Sequence, residues 1–265
     1  MKNKIKLGIL GGGGDSLIGI VHRIASSMHD SYEIVGGVFN PNFSENLKFA
    51  EEIGLNKNRI YADYKKMIEE ELKLDENERI QVVSILTPNF LHYPMAKKLL
   101  ENNFNVICEK PMTTTYEEAK DLEKIYKSKN LTFAVTYTYT GYPMIRQMKE
   151  MIKSGEIGDI QRVDLQYYQG WINPIIHDSK KRSETWRLQP DKSGISCCIG
   201  DIGTHAFDML EYVTGMEVKE LLSDLNYVYE DNIMDVDGTI LIRFSDKIKG
   251  VIRACLLYTS DAADE

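Results

Sequence analysis

The chain has 265 residues, which is long for one compact domain and suits two. Hydrophobic residues make up 43% and charged residues 27%, an ordinary globular mixture, and the formal net charge of −8 argues against a nucleic-acid partner, because phosphate binding needs a basic surface. No apolar run reaches the ~18 residues of a membrane span. Four cysteines without a disulfide or metal-ligand spacing indicate a reducing cytoplasm and no metal site.

The first half of the chain alternates between short apolar strands and helices. Its first apolar run is too short for a signal peptide and ends in four glycines, so we interpret it as a strand. This alternation with short loops predicts an α/β domain with a parallel sheet covered on both faces. The predicted strands are Ile5–Leu10, Tyr32–Phe39, Ile80–Leu86, Val106–Cys108 and Leu131–Val135, and the predicted helices follow the glycines, Ser44, the cap Asp63, Pro94 and the capping box Thr115–Glu118.

The pattern changes near Tyr137, where we place the boundary between a first domain, residues 1–137, and a second, residues 138–256. Several strands and few helices predict an α+β domain with an open, mostly antiparallel sheet. Its predicted elements are a helix over Met144–Ile152, a strand over Ile160–Tyr168, a polar loop over Ile172–Gly194, a helix over Asp201–Val213, and strands over Lys219–Tyr229, Gly238–Phe244 and Lys249–Cys255, the last two joined by a hairpin turn at Ser245-Asp246-Lys247.

The glycine-rich turn after the first strand predicts a phosphate-binding site. At a tight turn from strand to helix, backbone N–H groups can approach a pyrophosphate, and the helix dipole favours its charge. The usual G-x-G-x-x-G spacing is not present, because four residues separate Gly14 from Gly19, and a plain turn is the alternative. The candidate cofactor-binding residues of this turn are Gly12, Gly14, Asp15, Ser16 and Gly19.

Two further segments follow predicted strands at the edge where ligands bind in open α/β sheets. Asn40 can hydrogen-bond a ribose hydroxyl, and no arginine beside it would attract a 2′-phosphate, so NAD is favoured over NADP; alternatively Asn40 only begins a turn. Thr87, Pro88, Asn89 and His92 follow the third predicted strand, and His92 alternatively caps the next helix.

Two motifs carry candidate catalytic residues. In Glu109-Lys110-Pro111, the strand end projects Lys110 toward the same edge, where a lysine can stabilise developing alkoxide charge; otherwise it is a solvated surface residue. Asp201 and His205 are four residues apart on a predicted helix and share a face, so the carboxylate can orient an imidazole that titrates near neutrality. The alternative is an ordinary helix start with Asp201 as the cap.

The order of the motifs (the glycine turn, Glu109-Lys110-Pro111, then Gly200-Asp201-Ile202-Gly203-Thr204-His205) resembles the Gfo/Idh/MocA family of sugar and cyclitol dehydrogenases, from about Lys4 to Arg253. The resemblance implies a Rossmann-type domain that binds NAD or NADP, lined by Thr87-Pro88-Asn89 and Glu109-Lys110. It also implies hydride transfer between nicotinamide and a hydroxyl-bearing carbon of a sugar, cyclitol or related polyol. Lys110, Asp201 and His205 would be catalytic, with His205 accepting the hydroxyl proton.

Aromatic residues and an arginine in the second domain are candidate substrate contacts. Tyr139, Trp186 and Arg187 join Asp201 and His205 in this set, because aromatic faces stack on sugar C–H surfaces and arginine binds hydroxyl or carboxylate groups. Core packing is the alternative for the tyrosines. Family members have histidine and asparagine where this chain has Tyr137 and Thr138, so the substrate stays open.

The resemblance is also compatible with two other functions. Some relatives are NAD-dependent glycosidases acting by transient oxidation, and others are non-catalytic dinucleotide-binding regulators, although retention of Lys110 and His205 counts against a regulator. A homo-oligomer is implied for the full-length protein. We expect residues 257–265 to be a non-native tail after a truncated reading frame, the alternative being a natural short variant.

Overall fold

The computed structural model describes residues 4–227, 234–244 and 248–257. Two compact units divide the chain, Met1–Thr136 and Tyr137–Glu265. The predicted hairpin turn Ser245-Asp246-Lys247, the end of the predicted strand Lys219–Tyr229 and the tail from residue 258 lie outside the described residues.

The first unit contains a five-stranded parallel sheet, which confirms the predicted α/β class. Its strands are β1 (Ile5–Gly11), β2 (Tyr32–Val38), β3 (Val82–Leu86), β4 (Asn105–Cys108) and β5 (Phe133–Val135), in the order β2-β1-β3-β4-β5. An isolated parallel bridge joins Gly37 of β2 to Ile60, on the side of β2 away from β1. Counting that bridge as a rudimentary strand gives the order 3-2-1-4-5-6 of the Rossmann fold.

Side-chain caps explain where most helices of this unit begin. The helices are α1 (Leu17–Ser27), α2 (Phe43–Glu52), α3 (Tyr64–Glu71), α4 (His92–Glu101) and α5 (Tyr116–Lys129). Asp63 caps α3, and Thr115 with Glu118 forms the predicted capping box of α5. The start predicted at Ser44 is displaced, because Asn42 accepts the N–H groups of Ser44 and Glu45. Among the described residues, no helix is long and apolar enough to cross a membrane.

The sheet is buried on both faces because side chains alternate along each strand. In β1, Leu7 and Ile9 enter one core with Phe39 and Ala50, whereas Leu10 enters the other. The second core is the larger and contains residues from α3, α4, α5, β3 and β4. Both faces of the sheet therefore exclude water.

A fully buried carboxylate joins three segments of the first unit. Glu71, at the end of α3, accepts hydrogen bonds from Arg59 Nε at 3.0 Å, from the Tyr61 hydroxyl and from the Ile80 N–H at 2.7 Å. A buried charge is tolerated only when it is paired and hydrogen-bonded, and Glu71 meets both conditions. It fixes the 3-10 turn Lys57–Arg59 and the entry to β3.

The second unit contains a mixed four-stranded sheet in the order β6-β9-β8-β7. Its strands are β6 (Arg162–Tyr168), β7 (Val218–Asn226), β8 (Asp237–Phe244) and β9 (Lys249–Cys255). β6 runs parallel to β9, and the other two pairs are antiparallel, in agreement with the predicted α+β class. Helices α6 (Pro143–Lys153) and α10 (Thr204–Thr214) lie in this unit, and α10 packs Ala206 and Leu210 against Ile240 and Ile252.

The predicted loop over Ile172–Gly194 is wrong, because this segment forms short helices. They are α7 (Asn173–Ile176), α8 (Ser179–Glu184), a 3-10 turn (Trp186–Leu188) and α9 (Pro190–Ser193). Asp178 caps α8, and Ile172 and Ile176 anchor α7 in the core. Helices of four to six residues are too short to show a hydrophobic period, so the sequence pattern resembles a loop.

We expect Glu71→Gln to destabilise the first unit by about 2–4 kcal/mol, because Arg59 loses its buried counter-charge and the amide brings an N–H toward other donors. Urea unfolding followed by circular dichroism measures this loss. Glu70→Gln is the matched control: Glu70 pairs with Lys66 and Lys73 in solvent, where ion pairs contribute little. Equal unfolding midpoints for the two variants would contradict the role assigned to Glu71.

Candidate active site

The glycine turn brings the backbone of α1 against the end of β1. Gly11, Gly12 and Gly14 have φ angles of 85°, 69° and 57°, which favour glycine. A Cβ built on Gly19 would overlap the Gly12 carbonyl oxygen, so this contact requires glycine. By contrast, a Cβ at Gly14 would meet no atom within 4 Å, so the backbone there faces open space.

The turn fits a pyrophosphate. Ser16 caps α1 by accepting the Gly19 N–H at 3.3 Å, and the first backbone bond of the helix runs from Ile20 N to the Ser16 carbonyl. The N–H groups of Leu17 and Ile18 come before that bond and are the donors that a helix N-terminus offers an anion. Within the predicted set, Gly12 and Gly19 provide the close approach, Ser16 caps the helix, and Gly14 and Asp15 are exposed.

Asn40 lies two residues after β2 and forms a turn. Its Oδ1 accepts the Asn42 N–H at 2.8 Å, which is the turn that the alternative interpretation predicts. Its side chain is an uncharged amide, so this strand end carries no carboxylate to repel a 2′-phosphate. The contact to ribose stays a prediction.

His92 joins two turns at the carboxyl edge of the sheet. Its Nδ1 lies 2.8 Å from the Pro111 carbonyl oxygen and its Nε2 lies 2.8 Å from the Thr87 carbonyl oxygen. The ring is buried, and burial lowers its pKa. Both ring nitrogens are engaged by the backbone, and α4 has no side-chain cap, so His92 neither caps the helix nor presents a free ring nitrogen to a cofactor. The cofactor contact predicted for this ring stays a prediction.

The remaining residues of that segment lie at the point where the strand order reverses. Thr87, Pro88 and Asn89 follow β3, next to the end of β1, and the Leu86 carbonyl lies so close to Gly11 that a Cβ there would be 2.8 Å from it. Dinucleotides bind at this switch point in open α/β sheets. The positions of these three residues are consistent with the predicted cofactor contacts, which stay predictions.

Glu109 is held by groups from three segments. Its Oε1 lies 2.9 Å from His22 Nε2 and accepts the Thr136 hydroxyl at 2.6 Å, and its Oε2 accepts the Lys110 N–H at 3.3 Å. Burial raises the pKa of this carboxyl, but the bonds from His22 and Thr136 outweigh burial and keep the pKa below its usual value. Glu109 is thus an ionised group that positions the backbone, and the cofactor contact predicted for it stays a prediction.

Lys110 follows β4 at the same carboxyl edge as the glycine turn, as predicted. Its side chain is half-buried, and the Lys110–Pro111 peptide bond is cis. Sequence reasoning missed His22 and Thr136, which hold Glu109. The available signal was the position of His22 three residues after Gly19, one helical turn along the face that meets the sheet.

In the second unit, Asp201 and His205 do not lie on one regular helix. Residues Ile199–Gly203 form a π-helical turn, closed by a bond from Thr204 N to the Ile199 carbonyl, and α10 begins at Thr204. The buried Asp235 carboxylate accepts the N–H groups of Cys197 and Ile199, both at 2.8 Å, and fixes the chain as it enters this turn. The predicted helix start with Asp201 as a possible cap is therefore wrong.

His205 lies among three tyrosine rings. Its ring centroid is 4.8 Å from that of Tyr139, 5.7 Å from that of Tyr137 and 6.2 Å from that of Tyr167, and the residue is 8% exposed. The hydroxyls of Tyr139 and Tyr167 are hydrogen-bonded to each other, and Gln169 donates to the Tyr167 hydroxyl at 2.7 Å. Burial raises the pKa of Tyr137 to about 12. The tyrosines therefore surround the candidate acid–base group, an arrangement that sequence reasoning did not anticipate.

Arg187 connects two indoles to Asp201. Its guanidinium carbon lies 4.5 Å from the ring centroid of Trp186 and 5.7 Å from that of Trp171, and its Nε is 3.9 Å from Asp201 Oδ2. The structure thus brings the predicted Trp186, Arg187 and Asp201 together. The Arg187 side chain is 43% exposed, so the ion pair adds little stability and leaves the guanidinium accessible.

No cluster of three or more histidine, cysteine or acidic side chains in the described ranges is placed to hold a metal ion.

Two family models match the chain. Residues 5–137 match the model described as "Oxidoreductase family, NAD-binding Rossmann fold", and residues 145–264 match the GFO/IDH/MocA C-terminal domain. The second match extends beyond Arg253, where we expected the resemblance to end, and reaches into residues 257–265.

Similar proteins match all or part of the chain. The uncharacterized oxidoreductase YfiI of Bacillus subtilis is 35% identical over 222 residues, which are 83% of this chain and 56% of that protein. Levoglucosan dehydrogenase of Pseudarthrobacter phenanthrenivorans is 36% identical over 140 residues, which are 51% of this chain and 33% of that protein. The crystal structure of an inositol dehydrogenase homolog complexed with NAD+ from Azotobacter vinelandii matches with a TM-score of 0.92 at 29% identity, covering 98% of this chain and 67% of that chain. The chain thus spans only part of the length of these relatives.

We expect Gly19→Ala to weaken NADH binding at least about tenfold, because the added methyl overlaps the Gly12 carbonyl and must displace the turn. Fluorescence titration with NADH measures the Kd. Gly141→Ala is the control, since a Cβ there meets no atom within 4 Å. An unchanged Kd for the Gly19 variant would show that this turn does not form the phosphate site.

Proposed function

The chain belongs to the GFO/IDH/MocA oxidoreductase family, and we propose that it is an NAD-dependent dehydrogenase acting on a hydroxyl-bearing carbon of a sugar, cyclitol or related polyol. The observation that carries the proposal is His205, an acid–base side chain set among tyrosines on the helix that follows the Asp201 turn. The names of two relatives, levoglucosan dehydrogenase and an inositol dehydrogenase homolog, support the polyol class.

The first unit is an NAD-binding Rossmann fold. The N-terminus of α1 and the open backbone at Gly14 would hold the pyrophosphate, and the strand ends at Thr87 and Lys110 would line the rest. When bound, the nicotinamide supplies the acceptor for the hydride that leaves the substrate carbon.

The proton and charge of the substrate oxygen are assigned to side chains of this chain. In the oxidative direction, His205 accepts the hydroxyl proton, while the electron pair of the C–H bond leaves as hydride and the C–O bond becomes a carbonyl. The Lys110 ammonium stabilises negative charge on that oxygen as the proton departs. Asp201 supports the imidazolium form of His205 or accepts from a substrate hydroxyl, and Arg187 Nε lies 3.9 Å from its Oδ2.

The aromatic side chains of the second unit suit a polyol. Tyrosine and indole faces can pack on the C–H surface of a sugar ring, and the hydroxyls of Tyr139 and Tyr167 can exchange bonds with its hydroxyl groups. Trp186 and Arg187 would contribute to the same recognition. An apolar face with polar ends is how such rings are bound and oriented.

We further propose a cytoplasmic location and a homo-oligomeric full-length protein. The four cysteines, all among the described residues, are unpaired, which supports a reducing compartment. Leu222 and Leu241 pair across β7 and β8 and are exposed on one face of the second sheet, which supports a protein interface on that face.

We expect His205→Ala to lower kcat by about 10²–10⁴-fold with little change in the Kd for NADH, because general base catalysis has that magnitude and the residue belongs to the second unit. Initial rates over a panel of sugars and cyclitols with NAD and with NADP measure the effect. His29→Ala, at an exposed histidine, is the matched control.

Three outcomes of this assay would contradict the proposal. Unchanged turnover in the His205 variant would remove its catalytic role. Cleavage of a glycoside without net formation of NADH would indicate the glycosidase chemistry instead. Cofactor binding without turnover on any polyol would favour a regulator.

A further inference from the structure

His22 has no part in the function proposed above, yet it contacts the motif that carries Lys110. It lies in the second turn of α1, and its Nε2 is 2.9 Å from Glu109 Oε1, 87 residues along the chain. The His22 and Glu109 side chains are 13% and 12% exposed, so little water is available to replace either partner. The pair therefore joins the glycine-turn helix to the end of β4.

The chemistry of the pair fixes the hydrogen on His22. Glu109 is ionised, because the pKa of its carboxyl is lowered by the two donors on Oε1 despite burial. An ionised carboxylate only accepts hydrogen bonds, so Nε2 of His22 carries the hydrogen. His22 is therefore a donor to a mostly buried charge, and its removal would leave that charge short of a partner.

Glu109 links His22 to the backbone of Lys110. Its second oxygen accepts the backbone N–H of Lys110 at 3.3 Å, while Thr136 holds the first at 2.6 Å. On the far side of the motif, His92 holds the Pro111 carbonyl. The Lys110 backbone is thus fixed from both sides, by His22 through Glu109 and by His92 directly.

The neighbour of His22 holds the other half of the cofactor edge. Arg23 donates from Nη1 to the Gly12 carbonyl oxygen at 2.8 Å. Consecutive residues of one helix therefore bind the glycine turn and the Glu109-Lys110-Pro111 turn. Since a helix is stiff, α1 sets the distance between the two turns within the first unit.

We propose that His22 is a positioning residue, which orients Lys110 through Glu109 relative to the glycine turn. This inference rests on the catalytic role proposed for Lys110. His22 contacts neither substrate nor cofactor in the proposal; it acts on the geometry of the lysine. A displacement of about 1 Å of a catalytic group can cost on the order of 10²-fold in rate, so the effect belongs in kcat rather than in binding.

The test compares His22→Leu with His22→Gln in the full chain. His22→Leu removes the donor, and we expect kcat to fall by about 10–100-fold with the substrate KM and the NADH Kd within about threefold of wild type. His22→Gln keeps an amide N–H that can reach Glu109 and should restore most of kcat. His29→Leu, at an exposed histidine, is the matched control and should match wild type. Equal kcat for His22→Leu and wild type would overturn the inference.

The Lys110→Ala background separates action through the lysine from a general effect. If His22 acts through Lys110, adding His22→Leu to Lys110→Ala lowers the residual rate no further. An equal loss in both backgrounds would overturn the inference while leaving the role of Lys110 intact. If Lys110→Ala itself leaves kcat unchanged, the proposed role of Lys110 and this inference fail together.

An NMR measurement that does not depend on enzyme turnover completes the test. The ¹³C signal of reductively methylated Lys110, assigned with Lys110→Ala, should shift in His22→Leu and return in His22→Gln; an unmoved signal would overturn the inference.

Thermal unfolding checks that each variant folds. If His22→Leu does not fold, Thr136→Val removes the other donor on the same oxygen, and it should likewise lower kcat with an unchanged KM; wild-type kcat in that variant would count against positioning through Glu109.

Discussion

The contact between Gly19 and the Gly12 carbonyl fixes where α1 lies on the parallel sheet, and the first unit depends on it. Because no side chain separates the two backbones, the helix N-terminus comes directly over the end of β1. The same placement puts His22 against Glu109 and Arg23 against Gly12. One backbone contact thereby determines both the anion-binding donors of the turn and the anchors of the lysine motif.

Buried carboxylates hold the irregular backbone of both units. Glu71 accepts the N–H of Ile80, Glu109 accepts that of Lys110, and Asp235 accepts those of Cys197 and Ile199. Each serves a segment outside regular pairing, where backbone donors would otherwise lack partners. Burial makes each such charge costly unless it is satisfied, so the acceptors specify one backbone conformation.

Short sequence patterns predicted the helices and strands whose formation depends on neighbouring residues. The Asp63 cap, the capping box at Thr115 and the alternation of strands and helices act over a few residues, and the structure confirms them. The sequence did not predict features that depend on groups far apart in the chain. The π turn at Asp201 depends on Asp235, and the contact of the His92 ring with the Pro111 carbonyl depends on the turn at Pro111, so no local pattern indicates them.

The candidate site follows the same division. The glycine turn and Lys110 were predictable because strand ends and helix starts mark the ligand edge of a parallel sheet. The tyrosine cluster around His205 and the Arg187 stack arise from elements far apart in sequence, and the sequence indicated only single members. The catalytic and binding roles of these residues stay predictions.

The π turn changes the angle between Asp201 and His205 from the one that a continuous α-helix would give. Five residues fill Ile199–Gly203, where an α-helical turn would advance by about 3.6. Loss of Ile202 or Gly203 would therefore rotate the preceding backbone, including Asp201, by about 100° about the axis of α10 relative to His205. The length of this turn, rather than α10 itself, thus sets the direction of the aspartate.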